Sequence, residues 1–482
     1  MAEVRFYNTL GRRLETFEAA GDGPVGLYTC GPTVYGRAHI GNLRTFLFED
    51  LLRRSLELFG YRVHHVMNLT DVDDKVIKGA AEAGVPLDDF TEPFIEAFHR
   101  DLETLNVEPA HDYPRATRHV AEMIGLVERL VERGYAYEKD GSVFFRIARD
   151  EDYGRLSRID LAQVRRGERV ADDDYGKEDV RDFVLWKGAK PGEPSWDSPW
   201  GPGRPGWHLE CSAMSMRYLG QSFDIHCGGV DNMFPHHENE IAQSESATGR
   251  PFVRYWLHSE HLIVDGEKMS KSLGNVYSLD DLLERGSDPR ALRYLFLSVH
   301  YRQKLNFTFE ALDAAANALR RLDEMRFRLD HAVEAEGAEP TLAAAAGDME
   351  REFRAALASD LNISAALAAL FGLVRRVNVA VEAGPLAPGE RRTVLEALAR
   401  VDRVLGVLDP EPWKRWRTAV APAGPSEDGS RADDGEIEQL VAARDRARAA
   451  RDFATADGLR DRLAELDVVI EDTPEGTRWR RR

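Results

Sequence analysis

Cysteine is nearly absent, with three residues in a chain of 482. So few thiols over that length cannot build a disulfide framework, which leaves each one as a buried thiol or a ligand. Lysine is also scarce: the basic residues are overwhelmingly arginine, and the formal net charge is -19. The basic footprint behind nonspecific affinity for phosphate is therefore missing, although a local cationic patch is compatible with an acidic protein. The acidic surplus reads either as a solvated surface or as adaptation to a salty cytoplasm. No apolar run approaches a membrane span, and the acidic, Arg-containing start Met-Ala-Glu-Val-Arg is unlike a signal peptide; a soluble cytoplasmic protein is the expectation. The length suits two to four domains, each with its own core.

What is present is organised around the stretch from Cys30 to Thr45. Val25-Gly-Leu-Tyr-Thr29 reads as a strand, and Leu43 to Phe59 carries apolar residues at helical spacing up to a C-capping Gly60. Strand, Gly/Pro-rich turn and helix start together present backbone N–H groups and positive partial charge, where phosphate binds readily. Cys30 and His39 fall on that turn, at the sheet edge where α/β folds bind ligands. Tyr61 to Leu69 supplies a second strand, the start of a parallel α/β sheet. It runs into Asn68-Leu-Thr-Asp-Val-Asp-Asp-Lys75, which lacks the glycine and closing glutamate of an EF-hand loop. We read it as an acidic helix N-cap, with Thr70 and the carboxylates able to line the pocket.

From about Ala110 the pattern changes. His119 to Gly134 is helical in spacing, Asp140-Gly141 marks a hairpin, and Arg155 to Trp200 is irregular and rich in charge, Gly and Pro. The span is too long for a structureless loop and reads as an insertion. Gly206 to Met216 resumes the core with Cys211, and Phe223 to Asp231 is a strand ending in paired glycines. Pro235 suits the first turn of a helix on which His236 and Glu240 share a face. Cys30, Cys211, His236 and Glu240 would make a four-ligand zinc site. By spacing alone His237 and Cys227 compete, and inert buried cysteines beside a helix-capping histidine stay open as the plainer reading. His261 to Ser272 ends a strand in a loop where Lys268 and Lys271 suit a polyphosphate, against the plainer reading of a solvated basic turn. Beyond Asp288 the chain is helical to about Trp416, with Leu312, Leu319, Leu322, Met325 and Leu329 on one bundle-core stripe. Pro422 to Gly435 has linker composition. A small module from Glu436 to Arg482 follows, in which arginines mixed with Phe453 and Trp479 suit stacking on unpaired bases.

His39-Ile-Gly-Asn42 matches the HIGH signature of class I aminoacyl-tRNA synthetases, and Lys268-Met-Ser-Lys-Ser272 matches KMSKS. With the flanking stretches Cys30-Gly-Pro-Thr-Val-Tyr, Asn68 to Lys75, Gly206 to Met214 and Phe234-Pro-His-His-Glu-Asn-Glu, in order over nearly the whole chain, the sequence resembles the bacterial-type cysteinyl-tRNA synthetase family. The resemblance implies an α/β fold: a class I Rossmann-type parallel-sheet catalytic domain at 1–300, with a connective insertion at about 110–200 and the KMSKS-bearing segment at 261–300. A tRNA-binding α-helical bundle at 301–420, a linker at 421–435 and a small anticodon-recognition module at 436–482 would follow. It implies L-cysteine, ATP and tRNA(Cys) as partners, a monomer, zinc on Cys30, Cys211, His236 and Glu240, and magnesium with ATP. A thiol bound to zinc as thiolate is told from the hydroxyl of serine without an editing domain. His39, Gly41 and Asn42 would hold ATP, and Lys268 and Lys271 would stabilise developing charge. Thr70, Trp207, His226 and Asp231 match positions around the amino acid. Arg448, Phe453 and Asp457 would read the anticodon, with Phe453 standing where the family often has Trp.

Two rivals share this core. A cysteine:amino-sugar ligase of mycothiol synthesis would give the C-terminal RNA-reading module no purpose. A non-catalytic RNA-binding relative would be expected to have lost one of the two signatures, and both are present.

Overall fold

Strand-like runs separated by helical stretches fill the first 300 residues, and they fold as that alternation requires. The computed structural model describes residues 3–159, 177, 179, 181–414, 434–450, 452–466, 468–473 and 476–481. It divides into two units, Met1–Val420 and Ala421–Arg482.

In the first unit an antiparallel pair, β1 (Arg5–Asn8) and β2 (Arg13–Thr16), precedes β3 (Val25–Thr29), α1 (Ile40–Leu58) and β4 (Val63–Met67). Then come α2 (Asp74–Ala83), α3 (Leu87–Thr104) and α4 (Val120–Glu132). Asp73 caps α2, accepting from the N–H groups of Lys75 and Val76, so the acidic cluster is a helix start as read. β5 (Ala136–Lys139) and β6 (Ser142–Phe145) form the expected hairpin, with Asp140 at φ 54° and Gly141 at φ 75°. The stretch read as irregular contains β7 (Phe183–Gly188), which pairs with β6 and with β8 (Gly203–Pro205) to complete a four-stranded antiparallel sheet. Its Phe-Val-Leu-Trp run is buried throughout, so no alternation marks it in the sequence.

The chain returns through α5 (Trp207–Leu219), β9 (Phe223–Gly229), α6 (Glu238–Thr248) and β10 (Val253–Ser259). The central sheet has the order β10-β9-β3-β4, all parallel. Both its faces are covered. Val25, Leu27, Ile225 and Leu257 join one core with α1, while Tyr28, Val66, Phe223 and Trp256 join another with α4 and α5. A smaller sheet of β11 (Leu262–Val264), β12 (Glu267–Lys268) and, after α7 (Leu279–Glu284) and α8 (Pro289–Ser298), β13 (Leu305–Phe307) follows. The helices α9 (Phe309–Asp330), α10 (Leu342–Ala358), α11 (Ile363–Ala383) and α12 (Glu390–Leu405) complete the unit. All five residues of the predicted α9 stripe are buried. Contrary to expectation, α11 is by length and composition apolar enough to cross a bilayer; its buried stripe, from Ile363 to Val377, joins the bundle core.

A buried charged node ties α1 to the helices behind it. Asp50 accepts from Arg54 (2.8 Å), from Arg293 of α8 (2.7 Å) and from the N–H of Glu108 (2.9 Å). Both guanidiniums donate onward, Arg293 to the carbonyls of Leu405 and Leu105, Arg54 to those of Arg403 and Asn106.

Among the described residues, the second unit has two helices, Asp434–Ala449 and Phe453–Glu465, and an antiparallel pair, β14 (Val468–Thr473) and β15 (Gly476–Arg481). The expected linker at 421–435 lies outside the described residues, except that Asp434 and Gly435 begin the first helix. Ile437, Val441, Leu463 and Val468 form a small core on which Trp479 packs. That tryptophan is half-buried against this core.

Candidate active site

The site lies at the carboxyl ends of β3, β4 and β9, where loops leave a parallel sheet and ligands bind. At the exit from β3, a Cβ on Gly31 would stand 1.7 Å from the carbonyl oxygen of Asn68, so glycine is required for the two strand exits to meet. Asn68 Oδ1 accepts from the Gly31 N–H at 3.0 Å. Past the turn, His39 caps α1: its Nδ1 accepts from the Asn42 N–H and the Asn42 Oδ1 accepts from the His39 N–H, both at 3.2 Å. This reciprocal capping box is why α1 starts at Ile40, ahead of the apolar pattern that begins at Leu43. The first turn carries no acidic residue, so no side chain there opposes an anion; its Ile40 and Asn42 N–H groups are donated to Tyr277 O and His39, and Gly41 lies between them. Burial holds the His39 pKa below its ordinary value, against the pull of Asp231, so the ring is a neutral hydrogen-bonding group.

The loop bearing the two lysines meets this turn directly. Lys268 ends the exposed strand β12. Met269 Cε lies 2.5 Å from where a Cβ on Gly41 would be, the Ile40 N–H donates to Tyr277 O at 2.9 Å, and His39 bridges to Ser278. Asn275 braces the loop, accepting from the Ser270 N–H at 2.8 Å. Lys271 opens the short turn Lys271–Leu273, and its side chain lies outside the described residues.

On the other side of the strand exits, donor atoms of Cys30, Cys211, His236 and Glu240 lie within 4.8 Å of one another, all buried. The two sulfurs are 4.0 Å apart, too far for a disulfide. His236 does not stand in the first turn of α6 as predicted: Met233–His237 form a separate kinked turn and α6 begins at Glu238. The two side chains still converge, with Glu240 Oε1 3.1 Å from His236 Nε2 in a geometry that makes no hydrogen bond. Burial pushes the Cys30 thiol well up, the Glu240 carboxyl up to about 8 and the His236 ring down to about 3. Four donors therefore face one point with no positive charge among them and one carboxylate oxygen unpartnered. This donor set fits a divalent cation that accepts sulfur, nitrogen and oxygen, which is the preference of zinc. A second group takes His226 and His237 in place of Cys211 and His236. His237 Nδ1 is bonded to His258 at 2.8 Å, and its Nε2 faces the Cys30 sulfur at 3.3 Å.

Three comparisons bear on this arrangement. Residues 16–317 match the model of the class I (C) tRNA synthetase catalytic domain, 352–409 that of the DALR domain and 433–480 that of the cysteinyl-tRNA ligase anticodon binding domain. Cysteine–tRNA ligase of Solibacter usitatus is 47% identical over 99% of this chain and 100% of its own length, and that of Chlamydia pneumoniae is 48% identical over 98% and 97%. The chain belongs to the cysteinyl-tRNA synthetase family. Solved structures add the fold: methionyl-tRNA synthetase of Mycobacterium tuberculosis in complex with methionyl-adenylate matches with a TM-score of 0.56, at 18% identity, over 84% of this chain and 94% of that one. The architecture is thus the class I synthetase fold, a parallel α/β sheet followed by helices.

The remaining residues implied by the family resemblance divide into two groups. Trp207 stacks on His236 with ring centroids 4.2 Å apart and keeps 40% of its surface exposed at the mouth of the cluster. Buried His226 meets Glu240 Oε2 at 3.1 Å. Thr70 donates to Glu210 at 2.9 Å, and Asp231 follows β9 in a short turn within electrostatic reach of His39. Arg448 and Asp457 sit on exposed positions of the two C-terminal helices; Phe453 opens the second, and its side chain lies outside the described residues. Sequence reasoning missed Glu210 and His208, and weighed His237 only as a competing ligand. His208 bonds His236, Nδ1 to Nδ1 at 3.0 Å, and Glu210 is fully buried with Oε1 unpartnered. The available signal was the density of polar residues in Trp207-His-Leu-Glu-Cys211, at the start of a helix otherwise filled with core residues.

Proposed function

We propose that this chain activates L-cysteine with ATP and transfers it to the 3′-terminal adenosine of tRNA(Cys). The observation that carries this reading is one sheet edge holding, side by side, a capped helix start that meets the Lys268 loop and a buried four-donor cluster under Trp207. In the first step the cysteine carboxylate attacks the α-phosphorus, an O–P bond forms, the bond to the β-phosphate oxygen breaks and pyrophosphate leaves. In the second the 2′-hydroxyl of the terminal adenosine takes the acyl group and AMP leaves. His39, Gly41 and Asn42 bind ATP with its magnesium at the positive N-terminal end of α1, and Lys268 and Lys271 offset charge on the leaving phosphates. Cys30, Cys211, His236 and Glu240 hold zinc, while His237 donates to the Cys30 sulfur from outside and His208 leaves His236 Nε2 to face the metal. Bound there, zinc supplies a soft Lewis acid that prefers a substrate thiolate to a hydroxyl. Thr70, Trp207, His226 and Asp231 surround the amino acid. Residues 1–300 carry catalysis, 301–420 dock tRNA and 436–482 read the anticodon through Arg448, Phe453 and Asp457, in a cytoplasmic monomer.

Labelled cysteine, total tRNA, ATP and magnesium test the reading, beside cysteine-dependent ATP–pyrophosphate exchange. Charging of tRNA is expected. Exchange without charging overturns the tRNA assignment in favour of the amino-sugar ligase.

A further inference from the structure

Arg37 belongs to neither signature, and its guanidinium spans the two segments that carry them. It lies two residues before His39 in the turn leading to α1. Its Nη2 donates to Asp101 Oδ1 of α3 at 2.8 Å, and its Nη1 pairs with Asp280 Oδ2. Asp280 is the second residue of α7, the helix that begins where the loop Lys268–Ser278 ends. The two halves of the bridge differ in environment. Asp101 is 3% exposed, whereas Asp280 is 51% exposed. One arm of the guanidinium is thus anchored in the body of the domain, and the other reaches across to a releasable partner on the lysine-bearing segment.

On that geometry we propose that Arg37 is a positioning residue for ATP: a strap that holds the Lys268–Ser278 loop against the His39 turn by gripping the first turn of α7. The inference rests on the function proposed above. Among the described residues, the loop's other contacts with the His39 turn are one backbone hydrogen bond from Ile40 to Tyr277, the bridge from His39 to Ser278 and the packing of Met269 on Gly41. None of these contacts with the turn involves a charged group, whereas Arg285 over the Tyr277 ring and Asp281 bonded to Ser278 tie the loop to α7 itself, so the strap is the contact between the two segments that salt weakens.

The test compares Arg37→Leu with Asp280→Asn. The second variant removes only the exposed arm and leaves the buried Asp101 pair in place. Pyrophosphate exchange gives KM for ATP and for cysteine separately, and amide hydrogen exchange of peptides spanning 269–278 reads the loop without requiring any activity. An exposed ion pair supports an effect of about two- to fivefold. Both variants should raise KM for ATP by that factor, leave KM for cysteine unchanged and speed exchange across 269–278, and the double variant should be no worse than Arg37→Leu alone. If Asp280→Asn behaves as wild type in both readouts, the strap is overturned, whether or not Arg37→Leu is impaired. A wild-type protein without exchange activity would overturn the functional reading alone, because hydrogen exchange still reports the strap.

Discussion

Two fully buried polar clusters lie within the catalytic unit, and they resolve the cost of burial in opposite ways. At Asp50, burial would raise the carboxyl pKa, but the guanidiniums of Arg54 and Arg293 outweigh it and hold the carboxyl below its ordinary range. Both carboxylate oxygens accept hydrogen bonds, and the guanidiniums spend their other N–H groups on backbone carbonyls. At Cys30, Cys211, His236 and Glu240 there is no fixed cation, so burial prevails: the thiol and the carboxyl are held protonated and the imidazole neutral. The first cluster is complete in itself and reads as structure. The second has donors facing one point and no cation of its own, and an incomplete buried cluster is where a ligand fits.

The largest effect expected from this contrast is at Cys211. Cys211→Ser keeps nearly the same volume and removes one soft donor. Zinc content measured on the purified protein should fall from about one per chain towards zero, and cysteine-dependent exchange should fall on the order of 100-fold or more, since outer-shell changes alone cost 10–100-fold. Thermal unfolding should shift far less than it does for a change at Asp50. Full zinc and full activity in Cys211→Ser would exclude Cys211 as a ligand and favour the second donor group, Cys30, His226, His237 and Glu240.

The converse change is Asp50→Ala, which strands Arg293 in the interior. Breaking a buried pair in this way costs about 3–5 kcal/mol, read as a lowered denaturation midpoint, with zinc content retained. The pH dependence has a definite sign. Because the folded carboxyl is held below its unfolded value, its stabilising contribution is full above about pH 4 and is lost as pH falls further, through the folded pKa. Asp50→Asn should therefore flatten the acid limb of the stability profile. A wild-type acid limb in Asp50→Asn would show that the node carries no pH-linked stability.

The sheet was legible because strands such as Val25–Thr29 are short apolar runs bounded by turn residues, with a helical pattern between them. The donor cluster was legible only in part. Cys30 and Cys211 are scarce residues at strand and helix boundaries, but spacing cannot tell His236 from His237, because that depends on a kink at Met233–His237 that local rules do not foresee. β7 escaped because a strand buried on both faces has no alternation. The Arg37 bridge was invisible for another reason: its partners are 64 and 243 residues away, and no local pattern encodes them.

Asn42 offers the finest division, because it belongs to a third kind of polar cluster, exposed and satisfied by its own neighbours. Its side chain completes the capping box with His39, and the family resemblance also gives it to ATP. Asn42→Ala removes the reciprocal half of the capping box and any ATP contact together, while His39 still caps the Asn42 N–H, so stability should fall by less than the roughly 1 kcal/mol of a lost N-cap. Asn42→Asp separates them. An aspartate at this position can still accept from the His39 N–H, and its charge suits the helix N-terminus, so stability should hold or rise slightly. The same charge would repel the phosphates of ATP, so KM for ATP should rise several-fold while KM for cysteine does not move. If Asn42→Asp binds ATP as the wild type does, Asn42 serves the helix alone, and the anion site narrows to His39, the N-terminal end of α1 and the lysine loop.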